Sequence, residues 1–130
     1  MLADALGRPL RFIITPGQTG DVTQAPALLH GQEGGVVLAD KAYGSNALRT
    51  IIAKMGAETV IPSNRCRKIA IPHDALIYKH RNRIEQCFGR LKHFRRFATR
   101  YDRRTSHFVG FTNLAAAMIW LRGMSIRARP

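Results

Sequence analysis

The order in which strand-like and helix-like patterns follow one another limits the folds open to this chain of 130 residues. Apolar stretches at residues 8–15, 36–39 and 58–61 have the composition of β-strands and end at turn-forming or polar residues. Helix-like segments lie between them, at residues 21–30 and 45–54. Alternation of strand and helix predicts an α/β fold, in which a central parallel sheet is flanked by helices.

One acidic residue stands out in this arrangement because of its position. Asp40 directly follows the apolar run Val36-Val37-Leu38-Ala39, which has the pattern of a strand buried on both faces. In parallel sheets, functional groups gather at the carboxyl ends of the strands. The sequence therefore predicts that Asp40 is a functional carboxylate.

The alternating strands and helices form a predicted core at residues 8–62, and no further strand is predicted after it. We predict a basic loop at residues 63–73, a long amphipathic helix at 74–95 and an apolar helix at 106–122. A chain of this length is one domain at most, so residues 1–130 are expected to form a single unit.

The amphipathic helix carries a stripe of four chemically active side chains: Tyr78, Arg81, Glu85 and Lys92. Their offsets from Tyr78 are 3, 7 and 14 residues, which places them within about 60° of one another on an α-helix. A carboxylate can hold a divalent cation, and neighbouring cations can hold phosphate groups, so the stripe suits metal-assisted phosphate chemistry. The alternative is an exposed helix face on which Glu85 pairs with Arg81, worth a few tenths of a kcal/mol.

The distribution of charge favours a polyanionic partner. The chain has a net charge of +13, and residues 61–130 hold sixteen of its 21 basic residues and three of its eight acidic residues. A basic half beside a neutral half indicates nucleic-acid binding. The densest basic patch includes Arg95, Arg96 and Arg100, which are predicted to contact the DNA backbone, although a basic surface kept for solubility would look similar.

The cysteines and the apolar segments indicate the compartment. The two cysteines, Cys66 and Cys87, have no Cys-x-x-Cys spacing, which argues against a disulfide scaffold or a structural zinc site. The apolar run at residues 108–121 is shorter than the roughly 20 residues that a membrane span needs. We therefore expect a cytoplasmic protein without a membrane partner.

The stripe and the Asp40 segment together resemble a known family. Two residues separate Tyr78 from Arg81, three separate Arg81 from Glu85, and six separate Glu85 from Lys92. This spacing resembles the Tyr-Arg-Glu-Lys signature of one group of DDE transposases from bacterial insertion sequences. The segment Leu38-Ala39-Asp40-Lys41-Ala42-Tyr43-Gly44-Ser45 is similar to the strand end that carries the second catalytic aspartate of that family.

The resemblance implies an RNase H-like catalytic fold and an activity in DNA transposition. It implies that Asp40 and Glu85 are two of three carboxylates that bind a pair of Mg²⁺ or Mn²⁺ ions, which support DNA strand cleavage and strand transfer. It also implies that Tyr78, Arg81 and Lys92 contact phosphates of the DNA, which comprises the transposon ends and the target.

The first catalytic aspartate of the family has no counterpart that we recognise. Only Asp4 and Asp21 precede Asp40; the first lies in a turn-like context and the second resembles a helix cap. We therefore expect the C-terminal part of an RNase H-like domain from which the strand with the first aspartate is missing. Such a chain would be inactive or nearly so alone, and an N-terminal partner chain or an intact transposase would complete it.

Two other functions remain open from the sequence. The chain could be a non-catalytic basic DNA-binding remnant, or an inhibitor of an intact transposase that occupies its DNA or its subunits. It could also be a basic RNA-binding protein in which Asp40 and Glu85 have structural roles.

Overall fold

The computed structural model describes residues 1–99 and 104–127, so Arg100 lies outside the described residues. The chain contains two compact units. We call residues 15–82 the central unit, and residues 1–14 together with the chain from Arg83 onward the terminal unit.

Ten regular elements follow one another along the described chain. They are strands β1 (Leu2–Ala3) and β2 (Pro9–Arg11), helix α1 (Ala25–Leu29), strand β3 (Val36–Leu38), helix α2 (Asn46–Lys54), strand β4 (Glu58–Val60), and helices α3 (Ala75–Tyr78), α4 (Asn82–Lys92), α5 (Arg95–Thr99) and α6 (Thr105–Arg127). Short 3₁₀ turns occupy Asp21–Gln24, Lys41–Tyr43 and Lys79–Arg81. Within the described residues, no helix combines the length and apolar character of a membrane span.

The strands form two separate pairs rather than one central sheet. In the central unit, β3 and β4 are parallel, with Val36 opposite Glu58 and Leu38 opposite Val60. In the terminal unit, β2 pairs with β1 in an antiparallel hairpin. The predicted mixture of helix and strand is thus confirmed, but residues 8–15 do not join the parallel strands. A partner a few residues away closes a short loop, which costs less chain entropy than a distant one.

The prediction that residues 36–39 form a strand buried on both faces is wrong. Val36 is 39% exposed, and Val37 and Leu38 are half-buried. Among the described residues β3 pairs only with β4. A strand with one neighbour is covered less completely than the central strand that an unbroken apolar run suggests.

The core of the central unit lies where α2 packs against β4, with α1 packed against α2. Ile52 of α2, Val60 of β4 and Ile61 are completely buried. Ser45 caps α2, because its Oγ accepts a hydrogen bond of 3.3 Å from the amide of Leu48. Gly56 has a φ of 73°, which a side chain would disfavour, and lets the chain turn from α2 into β4.

The helix predicted over residues 74–95 is divided. Asp74 caps its start and accepts hydrogen bonds from the amides of Leu76 and Ile77, at 2.7 and 3.0 Å. A 3₁₀ turn at Lys79–Arg81 then separates α3 from α4, which ends at Lys92. Residues three apart are eclipsed in a 3₁₀ turn, so angles calculated for a uniform α-helix do not hold across this segment.

The core of the terminal unit joins α4 to α6. Cys87 and Leu91 of α4 pack with Ala115 and Ile119 of α6, and Phe94 is among the residues packed around them. Burial raises the pKa of the Cys87 thiol, so this cysteine behaves as a small apolar core residue.

Trp120 of α6 is half-buried and joins the helix to the N-terminal hairpin. Its indole Nε1 donates a 2.8 Å hydrogen bond to the carbonyl of Pro9. The guanidinium carbon of Arg8 lies 3.8 Å from the centroid of the Trp120 ring. The predicted core role of Trp120 thus includes a polar anchor and a cation–π contact.

Asp4 holds the turn between β1 and β2. Its carboxylate accepts hydrogen bonds from the amides of Leu6 and Arg8, at 3.0 and 2.8 Å, and from Arg8 Nε at 2.7 Å. Burial by itself raises the pKa of Asp4, but the hydrogen bonds and the charge of Arg8 together bring it below the ordinary value of 3.8. Asp4 is therefore a structural residue of the hairpin.

We expect Asp4→Asn to lower the free energy of unfolding at neutral pH by up to about 1 kcal/mol, the range for a partly exposed ion pair. Because folding lowers the pKa of Asp4, its stabilisation is complete above 3.8 and disappears as the pH falls through the folded-state pKa. Urea unfolding over a pH series checks this, with Asp21→Asn, at an exposed position, as the control. A deficit that stays constant down to the lowest pH would contradict the assignment.

Candidate functional site

Asp40 lies at the carboxyl end of β3, where the chain leaves the parallel strand pair. Its half-buried carboxylate caps the 3₁₀ turn at Lys41–Tyr43, because Oδ1 accepts a 2.6 Å hydrogen bond from the amide of Ala42. Within the described part of the chain, Oδ2 has no hydrogen-bond donor. One oxygen of Asp40 thus fixes the turn and the other remains able to accept a ligand.

Two arginines fasten the turn that follows Asp40. Arg67 Nη1 donates to the carbonyl of Gly44 at 3.0 Å, and Nη2 donates to Oδ1 of Asn46. Arg49 Nη2 donates to the carbonyl of Ile61 at 2.8 Å, and its Nε lies 3.5 Å from the carbonyl of Gly44. The turn is thereby tied to the end of β4. No motif or periodic pattern in the sequence marks either arginine for this role.

The hydrogen bonds of Arg49 and Arg67 bring two positive charges close together. Burial and then the positive charge of Arg67 lower the pKa of Arg49, although an arginine remains protonated in proteins. Gly44 lets the turn pack closely, since a Cβ there would lie 3.1 Å from the carbonyl oxygen of Lys41. Two half-buried cations around one carbonyl create positive potential beside the Asp40 turn.

Tyr43 lies in the field of two acidic residues. Burial raises the pKa of Tyr43, and the negative charges of Asp21 and Asp40 raise it further. Asp21 is exposed and begins the 3₁₀ turn at Asp21–Gln24, whereas Gly20 holds the cap position. The prediction that Asp21 caps a helix is therefore wrong.

Tyr78 and Arg81 lie together in the central unit. The guanidinium carbon of Arg81 is 5.7 Å from the centroid of the Tyr78 ring, and the ring of His73 meets Tyr78 edge-on at 5.3 Å. The 3₁₀ turn between them eclipses residues three apart and so keeps the two side chains on one face. The half-buried phenol is held in place by both contacts.

Glu85 and Lys92 belong to the terminal unit and lie on the exposed surface of α4. Lys92 follows Glu85 by seven positions, which is about two turns and thus the same side of the helix. Glu85 lies in the first turn, where the helix dipole favours a negative charge. Arg95 and Arg96 begin α5 and are also exposed.

The described residues do not by themselves fit a pair of divalent cations. Among residues 1–99 and 104–127, no group of three or more His, Cys, Asp or Glu side chains is placed to hold a metal ion. Asp40 and Glu85 alone supply fewer oxygen ligands than two such cations require.

Comparison with known protein families shows the family to which this chain belongs. The sequence profile described as "Transposase DDE domain" matches residues 1–120. This chain therefore belongs to the family of transposase DDE domains. The resemblance inferred from the Tyr78–Lys92 spacing and the Asp40 segment is confirmed at the level of the family.

Two curated relatives place the chain among insertion-sequence proteins. It is 45% identical over 123 residues to the putative transposase for insertion sequence element IS6501 of Brucella ovis, covering 93% of this chain and 95% of that protein. It is 30% identical over 131 residues to the putative transposase for insertion sequence element IS402 of Burkholderia cepacia, covering 92% of this chain but 60% of the relative. No solved structure matches the chain.

Proposed function

We propose that this chain acts in DNA transposition as part of a transposase catalytic domain with an RNase H-like architecture. The match of the DDE domain over residues 1–120 is the observation that carries the proposal. It is supported by the position of Asp40, a carboxylate with an available oxygen at the end of a parallel strand. The reaction would be cleavage and transfer of DNA strands, in the bacterial cytoplasm.

Asp40 and Glu85 are the proposed acidic residues of the reaction, with Mg²⁺ or Mn²⁺ as the proposed cation. Their chemistry supports this, since carboxylates are the ligands that these cations prefer. Because the described residues offer no group of three ligands, further ligands would come from another segment or chain. We propose that this chain alone cleaves DNA poorly or not at all, and that an N-terminal partner or an intact transposase completes it.

DNA is the proposed partner of the basic side chains. Tyr78 and Arg81 form one contact pair, and Lys92, Arg95 and Arg96 are exposed basic side chains of the terminal unit. Arg100 is also a proposed DNA contact, because it follows Arg95 and Arg96 in the basic patch of the sequence. A net charge of +13 also supports the second candidate function, in which the chain binds DNA without cutting it or inhibits an intact transposase.

DNA binding measured against salt concentration tests the proposal. We expect log affinity for a DNA duplex to fall linearly with log salt, with a slope of about −0.9 for each phosphate neutralised. Arg95→Gln should make the slope shallower by about 1. Lys54→Gln, an exposed lysine near the end of α2, is the matched control and should leave the slope unchanged.

Two results separate the candidate functions. Cleavage of transposon-end DNA in Mg²⁺ only when the proposed partner is added supports the catalytic role, whereas binding without cleavage under every combination supports the non-catalytic one. Affinity that does not respond to salt, or a clear preference for RNA over DNA, would contradict both.

A further inference from the structure

A closed loop connects β4 to the capped start of α3. Ser63 joins its ends, because its Oγ donates to the carbonyl of Ile71 at 3.1 Å and accepts from the amide of Ile71 at 2.6 Å. Inside the loop, the amide of Arg67 donates to the carbonyl of Asn64 at 3.0 Å and makes a turn. We call residues 63–71 the closed loop. Bonds at its base and in its middle restrict its shape before any partner binds.

Arg67 attaches the closed loop to the turn that follows Asp40. Its guanidinium donates to the carbonyl of Gly44 and to the side chain of Asn46. Both contacts lie within the central unit. A partner that touches the closed loop would therefore also lie next to the Asp40 turn.

The outer surface of the closed loop is basic and partly apolar. Arg65 and Lys68 are exposed, and within the described residues neither is paired with a carboxylate. Ile69 follows Lys68 and is 78% exposed. Cations beside an exposed aliphatic side chain suit DNA, which offers phosphates next to flat apolar bases.

We propose that the closed loop is a DNA-contacting surface, in which Arg65 and Lys68 bind backbone phosphates beside the Asp40 turn. This inference rests on the proposed function and adds a contact surface outside the stripe of Tyr78, Arg81, Glu85 and Lys92. Its preformed shape lowers the ordering cost of binding. Arg67 keeps it at a fixed place relative to Asp40.

An exposed cysteine within the closed loop allows contact between the loop and DNA to be measured. Cys66 is exposed within the closed loop, whereas Cys87 is completely buried in the terminal unit. We expect a maleimide to modify Cys66 in the folded chain, and a saturating DNA duplex to slow that reaction at least about tenfold by covering the thiol. Cys87 should stay unmodified throughout, which shows that the terminal unit remains folded.

A control variant separates coverage of the loop from general effects of DNA. In Cys66→Ser/Ala53→Cys, the new thiol lies at an exposed position of α2, and we expect DNA to leave its modification rate unchanged. A polyglutamate peptide added at the same charge concentration should protect Cys66 far less than DNA does. Equal protection by the peptide would overturn the assignment of DNA as the partner.

Substitution of the two cations gives an independent measurement. Arg65→Gln/Lys68→Gln should weaken binding to a DNA duplex and make the salt slope shallower by about two. Both side chains are exposed, so the thermal midpoint should not change. Lys54→Gln, another exposed cation of the central unit, is the control.

The outcomes distinguish this inference from the proposal on which it rests. If the chain binds DNA but Cys66 reacts equally fast with and without it and the double variant binds normally, the closed-loop contact is wrong and the proposed function stands. If the chain binds no DNA under any salt condition, the proposed function itself is wrong.

Discussion

Glu85→Gln should reduce transposition at least about a hundredfold, more than the loss of a group that only supports a metal ligand. Glutamine has nearly the same shape as glutamate but carries no charge, so it keeps the packing of α4 and removes the proposed cation ligand. The measurement is excision of a marked insertion element in cells. The only transposase in these cells is this chain together with its proposed N-terminal partner. Asp40→Asn should have the same effect, because both carboxylates are proposed to act in one reaction.

Three controls accompany this prediction. Glu33→Gln replaces another exposed carboxylate and should leave excision unchanged. Glu85 is exposed, so its substitution should change the free energy of unfolding by no more than about 1 kcal/mol, the range for a charge in the first turn of a helix. Affinity for DNA should be retained, since the substitution removes a negative charge. Normal excision by Glu85→Gln would show that Glu85 has no part in the reaction.

The features that could be predicted from the sequence are those fixed by nearby residues. The β3, α2 and β4 succession follows from short apolar runs separated by a capped helix, and Ser45 and Gly56 mark the ends of that helix. The placement of Asp40 at the end of a strand follows from the same local pattern. The spacing of the stripe needs no structure, and together with the Asp40 segment it indicated the family that the domain match confirms.

The features that escaped prediction depend on distant partners or on small changes of helical geometry. Arg49 and Arg67 bond to backbone atoms 12 and 23 residues away, respectively, and no periodic pattern marks such pairs. The 3₁₀ turn between α3 and α4 alters the angle per residue from 100° to about 120°, which hydrophobic spacing does not resolve. The burial of β3 depends on how many strands lie beside it, which its own composition does not state.

The candidate site was predicted as a set of residue types rather than as a geometry. Tyr78 and Arg81 lie together in the central unit, as helical spacing required, but a 3₁₀ turn produces the contact. Glu85 and Lys92 are exposed on the same side of α4 in the terminal unit. The joint binding of metal ions by Asp40 and Glu85 stays a prediction, and the Glu85→Gln and Asp40→Asn variants test whether both carboxylates are needed.

Leu91→Ala should destabilise the terminal unit by about 2–5 kcal/mol, the usual range for a leucine removed from a packed core. Leu91 is completely buried against Cys87, Ala115 and Ile119, and this packing fixes the side of α4 that carries Glu85. Urea unfolding monitored by circular dichroism gives the loss of stability, and maleimide modification of Cys87 reports opening of the same cluster.

Leu114→Ala on α6, where the leucine is 59% exposed, is the control and should change stability by less than about 0.5 kcal/mol. Because domains are stable by only about 5–15 kcal/mol, the Leu91 variant should also lose part of its DNA affinity at physiological temperature. An unchanged urea midpoint together with a protected Cys87 would show that α4 is not held through this cluster.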